Sequence, residues 1–294
     1  MEVGLIGLGA MGRGMAGSLR RKGHVVRVFD ERPEAMREFV KEGGVACNNP
    51  AHLARDCDIV ISVVVNAAQT EEVLFGDDGA ARAMRKGAVF VMCSTVDPQW
   101  SIALESRLER MGLLYLDAPI SGGAAKAASG EITMMTSGRT EAYAKCSAVL
   151  DAMSTKVYRL GDRAGPGSTV KIVNQLLAGV HIAAAAEAMA LGIRAGADPA
   201  AVYDVITHSA GNSWMFENRM AHVLAGDYTA LSAVDIFVKD LGIVLDTARA
   251  SKFPLPLAST AHQMFMQASS SGHGREDDAA VIKIFPGIDL PQKP

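Results

Sequence analysis

The chain has 294 residues, of which 49% are hydrophobic and 21% charged, with a formal net charge of -3 at pH 7. That length suits one large or two modest domains with a well-formed core. The charge balance argues against the basic face of a nucleic-acid binder. No run of about 18 apolar residues is free of charge or punctuation, so no membrane span is expected. Met1-Glu2 leads straight into a strand-like run, without the basic region and cleavage site of a signal peptide. Cys47, Cys57, Cys93 and Cys146 form no CxxC pair and read as reduced core thiols of a cytoplasmic protein.

The first half alternates strand and helix signals. Apolar runs at 3–6, 25–29, 58–65, 88–92 and 113–116 are separated by helix-length segments such as 10–21, 33–41 and 98–111. Short β-rich runs between helices predict an α/β Rossmann-type domain, its parallel-rich sheet covered on both faces. Runs at 132–136 and 156–160 extend that sheet at its far edge. A Gly/Pro-punctuated turn (GDRAGPG) then ends at Gly167, and from Ser168 to about Ala195 runs one Ala-rich, apolar stretch. Ser168 or Thr169 is placed to cap it. A helix of about 28 residues would span roughly 40 Å, and this one is too apolar for a surface helix. Helical patterns continue at 198–208, 233–250, 255–270 and 276–284. The expected organisation is a dinucleotide-binding domain over 1–162 and an all-α substrate and dimerisation domain over 163–294, joined by the long interdomain helix.

The first strand ends in Gly7-Leu8-Gly9-Ala10-Met11-Gly12, a GxGxxG that opens a helix and precedes a second strand ending in Asp30. In that context the pattern is a dinucleotide fingerprint. Gly7 permits the tight turn, Gly9 lets the backbone approach a pyrophosphate, and Gly12 lets helix and strand pack closely. The helix N-terminus faces the phosphate charge. Asp30 lies 18 residues after Gly12, where an acid hydrogen-bonds the ribose hydroxyls and repels a 2′-phosphate. The cofactor expected is therefore NAD rather than NADP. Arg32 counts against this, since an arginine nearby can bind a phosphate; before Pro33 it reads instead as flanking the adenine or starting the next helix in solvent.

Three further segments stand out: Asp117-Ala118-Pro119-Ile120-Ser121-Gly122-Gly123, Lys171-Ile172-Val173-Asn174 and Phe237-Val238-Lys239-Asp240-Leu241. With the glycine fingerprint, and in this order over essentially the whole chain, they resemble the β-hydroxyacid dehydrogenase family. That family includes 3-hydroxyisobutyrate dehydrogenases and tartronate semialdehyde reductases. Asp30-Glu31-Arg32 stands where NADP members often have Asn-Arg-Thr, and Val64-Val65-Asn66 replaces the more usual Leu-Pro. The stretches Gly211-Asn212-Ser213-Trp214-Met215-Phe216 and Ser271-Gly272-His273-Gly274-Arg275 resemble the L-threonate dehydrogenase branch. The resemblance implies an NAD-dependent oxidation of a small hydroxy acid, L-threonate to 2-dehydro-L-erythronate in that branch. It places Glu31, Val64, Val65, Asn66, Thr95 and Lys239 at the cofactor, and Ser121, Gly122, Gly123, Lys171, Asn174 and Phe237 at the substrate.

The residues support this chemistry independently. Oxidising an alcohol needs a base for the hydroxyl proton. Lys171, near the start of an apolar helix, is placed where burial and the positive helix end both disfavour the ammonium. Asn174 lies one turn on, on the same face. Ser121-Gly122-Gly123 offers a hydroxyl and exposed backbone N–H groups to a carboxylate. Thr95 follows a strand and falls at the carboxyl edge of the sheet, where ligands collect. None of the seven histidines forms an HxxxH pair, so no metal is expected. His181 reads as a core histidine of the long helix. Extended apolar surface there points to a homodimer or homotetramer. Two rivals fit less well: imine reductases on this scaffold usually replace the lysine, and a non-catalytic relative would add basic or disordered modules.

Overall fold

The fold is described from a computed structural model covering residues 1–293. Two compact units divide it, Met1–Lys171 and Ile172–Pro294. The division falls inside the long helix rather than at residue 162, because the first turn of that helix is hydrogen-bonded to Asp117.

The first unit runs β1 (Glu2–Ile6), α1 (Ala10–Arg21), β2 (Val25–Phe29), α2 (Pro33–Lys41), β3 (Val45–Ala46), α3 (Pro50–Ala54), β4 (Ile59–Ser62) and α4 (Ala67–Phe75). It continues with β5 (Val89–Met92), α5 (Pro98–Arg110), β6 (Leu114–Asp117), β7 (Ile120–Ser121), α6 (Gly123–Ser129), β8 (Ile132–Gly138), α7 (Thr140–Met153) and β9 (Ser154–Arg159). The sheet order is β3-β2-β1-β4-β5-β6-β8-β7, with β9 paired to β8. The first six of these strands are parallel, whereas β8 runs antiparallel to both β6 and β7.

Alternation explains the continuous apolar runs. On β4, Ile59 and Ile61 enter one core cluster while Val60 enters the other. On β5, Val89 and Val91 oppose Phe90 and Met92 in the same way. A strand buried on both faces has no polar side to display. Helix starts follow local chemistry: Asn66 caps α4, Asp97 caps α5, and Pro33 and Pro98 occupy first-turn positions that need no N–H donor. Strand order reverses direction at β1 and β4, and the crevice outside their carboxyl ends is where open α/β sheets take ligands.

Helix α8 (Pro166–Arg194) opens two residues before Ser168, so Ser168 lies in its first turn rather than capping it. Beyond it the second unit contains α9 (Pro199–Thr207), α10 (Trp214–Ala225), α11 (Val234–Ala250) and α12 (Pro256–Ala268). Helix α10 had no counterpart among the sequence expectations. By length and composition α8 is apolar enough to cross a membrane, contrary to expectation; 44% of its most apolar window is nevertheless buried inside the protein. Ile182, Ala186 and Met189 are fully buried beside Leu241 and Phe265 in one cluster, so one face of α8 packs as a core helix. Gly179 allows that closeness, since a Cβ there would meet Leu241 Cδ1 at 2.9 Å. His181 is exposed, not a core histidine, because it lies on the face of α8 turned away from that cluster. Elsewhere in this unit Arg219 pairs with the buried Asp278, whose carboxyl burial pushes up to about 6.

Candidate active site

The glycine turn behaves as its sequence requires. Gly7 has φ +97 and donates its N–H to Phe29 O at 2.8 Å; a Cβ there would lie 2.6 Å from Val63 O. A Cβ on Gly12 would meet Gly7 O at 1.9 Å, so only glycine lets α1 sit this close to β1. Around Gly9 there is nothing within 4 Å, which leaves room for a ligand to approach the backbone. Helix α1 has neither a side-chain cap nor an acid in its first turn, so its N-terminal N–H groups face outward without a local anion. An open groove of about 450 Å³ borders the turn, lined in part by Leu8, Gly9, Ala10, Arg13, Arg32 and Ala124. Met11 is half-buried on α1, packed against the core. These features fit a dinucleotide pyrophosphate.

Asp30 sits at the end of β2, its side chain 10% exposed. Its Oδ2 accepts from Leu8 N at 2.6 Å, which ties it to the glycine turn. Its Oδ1 accepts from Arg32 N at 2.9 Å and Arg32 Nε at 3.0 Å. Burial pushes the carboxyl up, but hydrogen bonds from Arg32 and from the Leu8 backbone outweigh it and hold it below the usual carboxylate value. Arg32 also donates to Leu8 O at 3.1 Å, so it folds back over Asp30 while its side chain stays largely exposed to solvent. Glu31 is exposed beside them.

The neighbouring strand ends carry Val64, Val65, Asn66 and Thr95. Ser94 Oγ donates to Val64 O at 2.7 Å, linking the loop after β5 to the loop after β4. Asn66 spends its side-chain oxygen on Gln69 N at 2.8 Å. Val65 is 45% exposed and Thr95 is 9% exposed.

The second cluster in this unit surrounds Lys171, which is only 7% exposed and donates from Nζ to Ile120 O at 2.8 Å. Its partner carbonyl immediately precedes Ser121-Gly122-Gly123. Gly122 (φ +134) and Gly123 (φ +76) both lie in the region that favours glycine, and Gly123 has nothing within 4 Å of a notional Cβ. Its backbone is therefore open to a close ligand. Three residues before Ile120, the buried Asp117 accepts four hydrogen bonds: from Gly165 N, Ser168 N, Ser168 Oγ and Ser137 Oγ. Burial pushes its carboxyl above the usual range, against the pull of those donors.

In the second unit Asn174 Nδ2 donates to Gln175 Oε1 at 2.9 Å, and Gln175 Nε2 donates to Asp240 Oδ2. Asp240, 2% exposed, is also ion-paired with Lys239. The structure thus joins Asn174 and Lys239 through two residues that sequence reasoning passed over. Phe237 departs from expectation. It is 3% exposed and stacks on Phe265 with ring centroids 5.1 Å apart, so it belongs to the helical core and has almost no surface left for a substrate. The residues missed were Asp117, Gln175 and Asp240, while Ser168 reads from the sequence only as a helix cap. Asp117 and Asp240 lay inside quoted motifs, and an acid within an otherwise apolar motif was the available signal. Among the described residues no group of three metal-ligating side chains occurs.

Known proteins resemble this chain over nearly its whole length. The family model for the NAD binding domain of 6-phosphogluconate dehydrogenase matches residues 2–161, and that for the NAD-binding region of NADP-dependent 3-hydroxyisobutyrate dehydrogenase matches residues 165–285. The chain is 66% identical to the L-threonate dehydrogenase of Cupriavidus necator over 99% of its own length and 98% of that protein. It is 33% identical to the mitochondrial 3-hydroxyisobutyrate dehydrogenase of Mus musculus, covering 96% of this chain and 86% of that one. A crystal structure from Salmonella typhimurium, described as a 3-hydroxyisobutyrate dehydrogenase, superposes with a TM-score of 0.93 at 53% identity, covering 97% of this chain and all of that one. Together, glycine turn, buried lysine and full-length similarity put this chain in the 3-hydroxyisobutyrate dehydrogenase-like family of nicotinamide-dependent hydroxy-acid oxidoreductases.

Proposed function

We propose that the protein is an NAD-dependent dehydrogenase that oxidises L-threonate, with Lys171 as the general base. The observation that carries the substrate is the 66% identity, end to end, with a protein named L-threonate dehydrogenase. The Gly7–Gly12 turn and Asp30 hold the dinucleotide, which when bound supplies the hydride acceptor. Asp30, kept ionised, accepts from ribose hydroxyls and repels a 2′-phosphate, which favours NAD. Thr95, Val64, Val65 and Asn66 line the adjoining strand ends on the cofactor side. Ser121, Gly122 and the open backbone of Gly123 receive the substrate carboxylate. Lys171 Nζ takes the proton from the substrate hydroxyl during oxidation and returns it in the reverse direction. The family resemblance assigns Asn174 to the substrate and Lys239, which is ion-paired with Asp240, to the cofactor.

The test is NAD reduction across three- and four-carbon hydroxy acids. L-Threonate is expected to have the highest kcat/KM, by about tenfold or more, the scale of one polar contact made or missed in a fitted pocket. A preference for 3-hydroxyisobutyrate would overturn the substrate and favour the second reading, which the Salmonella structure's description supports. We also infer a cytoplasmic homodimer or homotetramer. Four buried free cysteines suit a reducing compartment, and Leu191, Trp214, Phe253 and Leu257 leave more than half of their surface uncovered. Sedimentation as a monomer at micromolar concentration would rule the assembly out.

A further inference from the structure

Helix α8 has an unusual start. The first N–H groups of a helix have no intrahelical partner and are normally satisfied by the residue just before it. Here they are satisfied from a distance. Gly165 N and Ser168 N donate to Asp117 Oδ2 at 3.0 and 2.9 Å, and Ser168 Oγ donates to Oδ1 at 2.7 Å. Gly167 N donates to Ser137 Oγ at 2.9 Å, and Ser137 Oγ in turn donates to Asp117 Oδ2 at 3.1 Å. A Cβ on Gly167 would lie 3.0 Å from Asp117 Oδ2, so the backbone is as close as glycine allows. Strand β6 therefore holds the start of α8 from a position 51 residues before Ser168.

Lys171 is three residues beyond Ser168, one turn along the helix. Its Nζ donates to the carbonyl of Ile120, three residues beyond Asp117. The segment 117–120 thus grips α8 twice, at the backbone of its first turn and at the tip of Lys171. We propose that Asp117 is a positioning residue for the reaction, which fixes Lys171 Nζ beside the Ser121-Gly122-Gly123 turn through the start of α8. This rests on reading Lys171 as the base. A misplacement of about 1 Å in a reacting group costs on the order of a hundredfold in rate, and two anchors on one short segment remove that freedom. The charge suits the task as well, since a carboxylate at a helix N-terminus meets the positive end of the helix. An amide cannot replace it, having one accepting atom where Asp117 uses two.

The test uses the full-length enzyme with Asp117→Asn, Ser168→Ala and Lys171→Ala in parallel. Each is measured for kcat, KM for hydroxy acid and NAD, NAD binding by fluorescence, melting temperature, and the primary deuterium isotope effect with substrate labelled at the oxidised carbon. For Asp117→Asn the expected result is a loss in kcat of roughly a hundredfold, a larger isotope effect on kcat, and NAD affinity within about twofold of the parent enzyme. Ser168→Ala, which removes one donor and leaves Asp117 its other three, should lose about tenfold in kcat, the scale of one strong hydrogen bond. If Asp117→Asn does not fold, Ser168→Ala decides. Folded variants with parental kcat and isotope effect, alongside an inactive Lys171→Ala, would overturn the positioning role alone. An active Lys171→Ala would overturn the reading of the base. Loss of kcat in parallel with NAD affinity and melting temperature would mark Asp117 as merely structural and overturn the proposal.

Discussion

The turn after β1 and the turn after β6 both close a strand of the same sheet, yet they are built on different principles. The first is local. Gly7, Gly9, Gly12 and Asp30 lie within one strand–helix–strand unit, and the tie from Leu8 N to Asp30 Oδ2 spans 22 residues. The second is assembled across the chain. Lys171 reaches Ile120 and Ser168 reaches Asp117 over 51 residues in each case. The glycine turn offers mainly backbone, which any sequence with glycine in those places can provide. The lysine turn offers a side chain, whose position depends on everything that locates its helix. Binding a dinucleotide tolerates the first arrangement because many contacts share the task; moving one proton requires the second.

The contrast can be broken most directly at Lys171. Lys171→Ala should lower kcat by about 10²–10⁴-fold, the range for a positioned general base, and leave the KM for NAD unchanged in steady-state assays. Parental turnover would remove the chemistry from the lysine turn altogether. At the glycine turn the damage should be steric. Gly12→Ala places a methyl group 1.9 Å from Gly7 O and should cost about 1–3 kcal/mol of stability, the scale of overpacking. Thermal unfolding would show this, with cofactor affinity falling alongside it; an alanine variant as stable as the parent would mean that the backbone is less constrained than its contacts imply.

Asp30 sharpens the comparison further. Asp30→Ser should raise the NADP to NAD ratio of kcat/KM by about tenfold to a hundredfold, the scale of one charged hydrogen bond. An unchanged ratio would put selectivity elsewhere, with Arg32 the next residue to substitute. The smallest expected effect is none. Because Asp30 is held below the usual carboxylate value, it loses its charge only when pH falls below that lowered value. NAD preference should therefore be flat from about pH 7 to about pH 9, above both the range in which carboxylates titrate and the second ionisation of a 2′-phosphate at about 6. A preference that rises through neutral pH would assign selectivity to some other group.

Much of this was legible before folding. The periodicity of the first half set a parallel sheet with helices on both faces, and α1 and α2 fall at their expected bounds. The long helix and the helical second half were equally plain from apolar length and the lack of strand signals. Short elements were not legible: β3 and β7 have two residues each, too few for a period to register. Phe237 reads as a pocket wall from its motif, and only packing shows it stacked on Phe265. His181 reads as core from its apolar neighbours, but an Ala-rich helix gives no pattern to show which face is buried.

By itself, the sequence determined the pieces governed by nearest neighbours: the glycine turn, the acid closing β2, the glycines at 122 and 123, and a lysine at a helix start. Backbone conformation and helix capping act over a few residues and leave their mark in the local order of residue types. Only the tertiary structure decided what those pieces touch. It folded Arg32 onto Asp30, linked Asn174 to Lys239 through Gln175 and Asp240, and placed the carboxylate of Asp117 against the start of α8. Such contacts join residues far apart in the chain, where a motif records that an acid is present but not which donors it will meet.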